Sequence, residues 1–191
     1  MGVDVIFSSF LLVAATEMGD KTQLLAFVLA SRFRNPRAVL LGIFVATILN
    51  HLLAAFVGNW VSLALPKEYL KWILGGSFIL FAVWILIPDQ DDEENSSSRF
   101  GAFLTTLVAF FLAEMGDKTQ LSTVALAAKY QEVVLVTIGT TLGMMFSDGL
   151  AVIFGEKLTE KISMKWIRIF SASLFVIFGL TILFGFELGF S

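Results

Sequence analysis

Two stretches of this chain hold residues able to do chemistry, and they have the same sequence. Glu17-Met18-Gly19-Asp20-Lys21-Thr22-Gln23-Leu24 recurs letter for letter as Glu114-Met115-Gly116-Asp117-Lys118-Thr119-Gln120-Leu121. Each octet sits within an apolar run, where a single charge costs about 2.5–3.5 kcal/mol to insert at the bilayer centre. Lys21 balances one of two acids in the first octet and Lys118 one of two in the second, leaving a formal −1 on each. Two octets facing each other total −2, the charge a divalent cation neutralises. The donors are all oxygens. They are the carboxylates of Glu17, Asp20, Glu114 and Asp117 and the amide oxygens of Gln23 and Gln120, with the hydroxyls of Thr22 and Thr119 and backbone carbonyls freed at Gly19 and Gly116 in support. Such a set suits Mg²⁺, Ca²⁺ or Mn²⁺. Cu⁺ or Zn²⁺ would call for Cys or several His, and the chain has no Cys and one His.

On an unbroken helix Glu17 and Asp20 share a face, and Lys21 pairs with Glu17 four residues earlier. The plainer alternative makes the acids and lysines salt bridges that join two helices, although one pair would suffice for that. Lys21 and Lys118 either take part in ion handling or only balance charge. Gln23 and Gln120 either ligate the ion or hydrogen-bond between helices. Two further ionisable residues lie at membrane depth. Asp148 is a lone acid and a candidate for proton coupling. His51 is the second candidate, set against a simple interhelical hydrogen bond.

These residues need elements to hold them, and composition indicates which. The 191 residues are 57% hydrophobic and 15% charged, with twenty Phe and a mean hydropathy of +0.85. Soluble domains carry about 25% charged residues. Six apolar stretches approach the ~20 residues that cross a bilayer. They run roughly over 5–30, 38–65, 69–87, 103–128, 133–154 and 166–186. The first is long enough that it must tilt or break, with Gly19 as the natural break and Gly116 its counterpart in the fourth. The first run lacks the basic start of a signal peptide and exceeds the length of one, so it reads as a retained span. Trp72, Trp84 and Trp166 near span ends suit an interfacial belt. Net charge is −3, which excludes the basic surface of a nucleic-acid binder.

The repeat reaches beyond the octets. At the same offset Arg32-Phe33 meets Lys129-Tyr130, Gly42 meets Gly139, Asn50-His51 meets Ser147-Asp148 and Gly58 meets Gly155. The expected fold is therefore an all-α integral membrane protein of six transmembrane helices, arranged as two three-helix repeats. Residues 1–88 form the first repeat, 89–100 an acidic Ser-rich linker, and 101–191 the second. Three crossings end on the opposite side, so the second repeat is inverted. That plan places a binding site at the repeat interface near the midplane.

Positive charge sets the orientation. Lys67, Lys71 and Lys129 lie on the side of the termini; Arg32, Arg34, Arg37, Arg99, Lys157, Lys161, Lys165 and Arg168 lie on the other. The richer side belongs in the cytoplasm, which leaves both termini outside and the linker cytoplasmic. The linker, Asp89 to Ser98, reads as a solvated tail, with cation sensing as the alternative; it lacks the Gly-centred loop of an EF-hand.

The paired E-x-G-D-K-T motif, on the first helix of each three-span repeat with an acidic linker between, resembles the second calcium:cation antiporter family. That family includes the Golgi manganese/calcium transporters of eukaryotes and bacterial manganese exporters. The resemblance covers nearly the whole chain and departs nowhere from the motif. It implies a non-enzymatic secondary transporter that moves Mn²⁺, or Ca²⁺, out of the cytosol against protons, with no resident cofactor. By position it assigns the metal to Glu17, Asp20, Glu114 and Asp117, with Lys21-Thr22 and Lys118-Thr119 completing the signature. The short cysteine-free chain looks bacterial, which implies the inner (plasma) membrane. The partners so implied are the bilayer, a divalent metal and protons, with no nucleic acid. Set against this are a passive divalent cation channel, a small-solute exporter of amino-acid type, and an intramembrane metalloenzyme. The last is discouraged by the absence of Cys and of an activated Ser motif.

Overall fold

A computed structural model describes residues 2–18, 20–86, 101–154 and 164–184. Gly19, the acidic linker and most of the 156–165 loop lie outside the described residues. Among the described residues there are eight helices and no strand: α1 (Gly2–Glu17), α2 (Lys21–Phe33), α3 (Pro36–Ala64), α4 (Lys67–Ile85), α5 (Ala102–Glu114), α6 (Lys118–Tyr130), α7 (Val133–Phe154) and α8 (Met164–Phe184). Pro36–Ala64 and Val133–Ile153 are each long and apolar enough to cross a membrane.

The first and fourth apolar runs are each split in two at the octet. Helix α1 stops at Glu17 and α2 starts at Lys21; α5 stops at Glu114 and α6 starts at Lys118. Gly116 supplies the turn with φ +78°, a conformation that costs other residues energy. In both breaks the aspartate N–H bonds back to the glutamate carbonyl, Asp20 to Glu17 at 3.1 Å and Asp117 to Glu114 at 3.2 Å. The break overturns one expectation. Glu17, Asp20 and Lys21 do not lie along one helical face, because no helix runs through them.

The connections after the broken helices are equally alike. Arg34 and Gln131 close α2 and α6 in the left-handed conformation, with φ 48° and 57°. Their N–H groups bond to Ala30 and Ala127. Each connection is two residues long and reverses the chain into α3 or α7.

Small residues set the packing. Helix α7 runs alongside α1 and α2 in one direction: Gly139 meets Ile6 and Ser9, Gly143 meets Phe10, Val13 and Ala14, and Ser147 meets Gln23. Helix α3 does the same with α5 and α6: Gly42 meets Phe103 and Thr106, Asn50 meets Phe111, and Gly58 meets Val124 and Ala127. A Cβ on Gly139 would lie 2.6 Å from the Ile6 carbonyl oxygen, and one on Gly42 would lie 2.8 Å from that of Phe103. Ile6 and Ser9 correspond to Phe103 and Thr106 at the repeat offset, so one contact is built twice. On the axis between the copies, Thr47 Oγ1 donates to Sδ of its own counterpart, Met144, at 3.2 Å.

Helices α4 and α8 cross in opposite directions, with Gly75 against Leu183 and Gly179 against Ile79. Phe78 packs between Phe175 and Phe178, with ring centroids 5.7 and 5.2 Å away. One face of each helix is thus sealed in this seam. The other presents Trp72, Leu80, Trp166 and Phe170 outward. The same inversion marks the whole molecule. Phe7, Leu53, Phe56 and Trp60 are more than half exposed, while Glu17, Glu114, Asp117, Lys118 and Asp148 are buried. A water-soluble protein distributes these residue types the other way round.

Candidate metal centre

Both helix breaks carry buried acids, although the turn at Met115 and Gly116 is itself exposed. Each brings a glutamate at the C-terminal, carbonyl-rich end of one half-helix and an aspartate at the N-cap of the next. The carbonyl end of a helix carries partial negative charge and favours a cation. Neither aspartate caps its helix with its side chain. Ligand oxygens of Glu17, Glu114 and Asp117 all lie within 4.8 Å of one another, and all three residues are buried. Three acids this close require a positive charge or protons among them. The cluster draws on both halves of the chain. Asp20, the fourth expected ligand, does not join it.

The hydroxyls divide unevenly. Thr22 Oγ1 donates to Glu17 Oε2 at 2.8 Å, and Thr119 Oγ1, from the other half, donates to Glu17 Oε1. Glu114 receives neither, and among the described residues its two oxygens have no hydrogen-bond partner. Around it Glu17, Asp117, Asp148 and Asp20 all lie within electrostatic range, in that order of influence. Asp148 is fully buried with both oxygens unpartnered among the described residues, and it faces Glu17 electrostatically. His51 is equally buried, and among the described residues neither ring nitrogen has a hydrogen-bond partner. Lys118 is buried; the side chain of Lys21 is outside what the structure describes.

The glutamines also part company. Gln23 Nε2 crosses to α7 and donates to the Ser147 carbonyl at 3.1 Å and its Oγ at 3.3 Å. Gln120 Oε1 turns back to accept from the Gly116 N–H at 2.7 Å, closing its own break rather than facing the acids. Ser147 and Asn50 are the residues whose part sequence reasoning missed. Asn50 Nδ2 donates to the Phe111 carbonyl at 3.1 Å. That carbonyl loses its helical partner because the Met115 N–H bonds to Leu112 instead. The signal was present: Asn50 and Ser147 are counterparts at the repeat offset, each next to a buried titratable residue.

An inside-out helical bundle with two broken helices and a buried, two-sided acid cluster is the build of a membrane transporter for a cation. Comparison with known proteins narrows this. The model of the family described as the divalent cation/proton antiporter GDT1 matches residues 5–93 and 102–188, and the chain belongs to that family. A Vibrio cholerae protein provisionally named a manganese exporter is 44% identical over 183 residues, covering 95% of this chain and 92% of that protein. GDT1-like protein 3 of Arabidopsis thaliana is 28% identical over 207 residues, covering 93% and 70%. A GDT1-like protein of Schizosaccharomyces pombe is 24% identical over 239 residues, covering 95% and 90%. No solved structure matches.

Proposed function

We propose that the chain exports Mn²⁺ from the cytosol in exchange for protons, by alternating access around the buried acid cluster. The observation that carries this is the meeting of Glu17 with Glu114 and Asp117, because no single half of the chain could assemble it. Ca²⁺ is the second candidate cargo, since its oxygen preferences overlap those of Mn²⁺. The name of the Vibrio cholerae relative favours manganese.

The helix directions support six crossings in two inverted repeats. Helix α3 runs back along α2 after a two-residue connection, and α5 runs parallel to α3, so α5 opposes its counterpart α1. Combined with the Lys/Arg bias of the connections, this topology supports termini outside and the acidic linker in the cytoplasm, and the bacterial relative favours an inner membrane. The interlaced packing also indicates which bodies move. Glycine contacts lock α1 to α7, and α5 and α6 to α3, while α2 is tied to α7 by the Gln23–Ser147 hydrogen bonds. The rocking units are these mixed groups, with the acids on the seam between them. Protons entering from the more acidic outer side compete with the metal for the carboxylates and release it. Asp148, buried beside the cluster, accepts a proton in that exchange, with His51 its counterpart in the first repeat.

The test is transport in proteoliposomes with Mn²⁺, Ca²⁺ or Mg²⁺ under opposed pH gradients. Uphill Mn²⁺ movement driven by the gradient is the expected result. Flux that follows only the metal gradient would make the protein a channel. Unchanged flux in Glu17→Gln and Asp117→Asn would remove the cluster from the mechanism.

A further inference from the structure

The cluster is asymmetric although the sequence that builds it is not. Glu17 and Glu114 are counterparts, as are Thr22 and Thr119, and Asp20 and Asp117. Yet both threonine hydroxyls go to Glu17, and only Asp117 of the two aspartates joins the glutamates. Each threonine has one proton to donate and is fully buried, so it serves one glutamate at a time. Exchanging the two repeats defines a second arrangement that uses the same donor and acceptor types. In it the hydroxyls hold Glu114, Glu17 is left unclamped, and the third acid is Asp20. In transporters built of inverted repeats one repeat or bundle rocks against the other about the site, a motion that can carry one arrangement into the other.

We propose that the two aspartates are alternate ligands, one for each facing state, while the two glutamates hold the ion in both. The metal is passed from Asp117 to Asp20, or back, as the hydroxyls of Thr22 and Thr119 transfer together between Glu17 and Glu114. This rests on the transport reading above and replaces a fixed four-acid seat with two three-acid seats that share two members. It explains why four acids serve an ion that meets three of them, and why each octet keeps both its acid and its hydroxyl.

The experiment measures Mn²⁺ entry separately from each face, in membrane vesicles of the two orientations, for Asp20→Asn, Asp117→Asn, Glu17→Gln and Glu114→Gln. Each aspartate variant should raise KM on the order of 10–100-fold, the usual cost of a damaged metal site. It should do so at one face only, the face being opposite for the two variants. Each thus carries its own folding control, since the other face keeps its affinity. The glutamate variants should fail at both faces. If wild-type vesicles carry Mn²⁺ but the two aspartate variants change both faces alike, or neither face, the alternation is wrong. If wild-type vesicles carry no Mn²⁺ at all, the transport reading fails and the alternation fails with it.

Discussion

The octet at Glu17 and the octet at Glu114 have the same eight residues and different surroundings. The Glu17 carboxylate is held by two hydroxyls; that of Glu114 has no hydrogen-bond partner among the described residues. Gln23 reaches across to Ser147, whereas Gln120 folds back on Gly116. The neighbours account for part of this. Gln23 faces a serine, whose short side chain leaves its carbonyl open. Gln120 would face Asn50, whose amide is already given to the Phe111 carbonyl. Identical local sequence therefore fixes the break and the donor types, while the opposing helix decides which bonds form.

The largest effect that would sharpen the comparison lies in the glutamates. Removing the Glu17 carboxylate strands two fully buried hydroxyls, and each buried group left unsatisfied costs about 1–3 kcal/mol. Removing that of Glu114 strands none. In metal-free detergent solution Glu17→Ala should therefore melt well below wild type, and Glu114→Ala nearer to it. Equal melting temperatures would mean that the hydroxyls are shared between the two acids in solution.

The glycine contacts come next. Gly42→Ala and Gly139→Ala place a Cβ against backbone in equivalent contacts, and overpacking of this kind costs about 1–3 kcal/mol. The two should lose similar stability. Gly76→Ala, with nothing within 4 Å of the added Cβ, should lose none. Unequal losses at Gly42 and Gly139 would show that the two interlaced units differ in tightness as well as in hydrogen bonding.

The smallest effect belongs to the glutamines. Gln23→Leu gives up a buried interhelical bond, a net loss of about 0.5–1.5 kcal/mol. Gln120→Leu gives up one at an exposed turn within its own octet, and should lose less. Chemical denaturation of the two variants side by side checks the order; a larger loss at Gln120 would contradict the assigned bonding.

Much of this was legible in the sequence. The repeated octet marked the stretches where two helices break, and the offset between copies paired Gly42 with Gly139 and Asn50 with Ser147. These follow from local chemistry and arithmetic. What could not be read were the relations that depend on the partner helix. Sequence symmetry suggests four equivalent acids, yet the structure brings Glu17, Glu114 and Asp117 together, because which acids meet depends on packing between helices far apart in the chain. Helical spacing suggested that Lys21 lies over Glu17, yet the break needed for the site removes that spacing. The role of Asn50 in taking up a carbonyl freed by the break of α5 required knowing which helix lies against it.

The central claim is that one divalent ion is held jointly by acids from both halves of the chain. Equilibrium Mn²⁺ binding to the purified protein, read from the loss of the free-ion magnetic resonance signal, tests it most directly. The expected result is one ion per chain in the wild type, with binding lost in Glu17→Gln and, separately, in Glu114→Gln. Two ions per chain, or wild-type binding in either single variant, would contradict it.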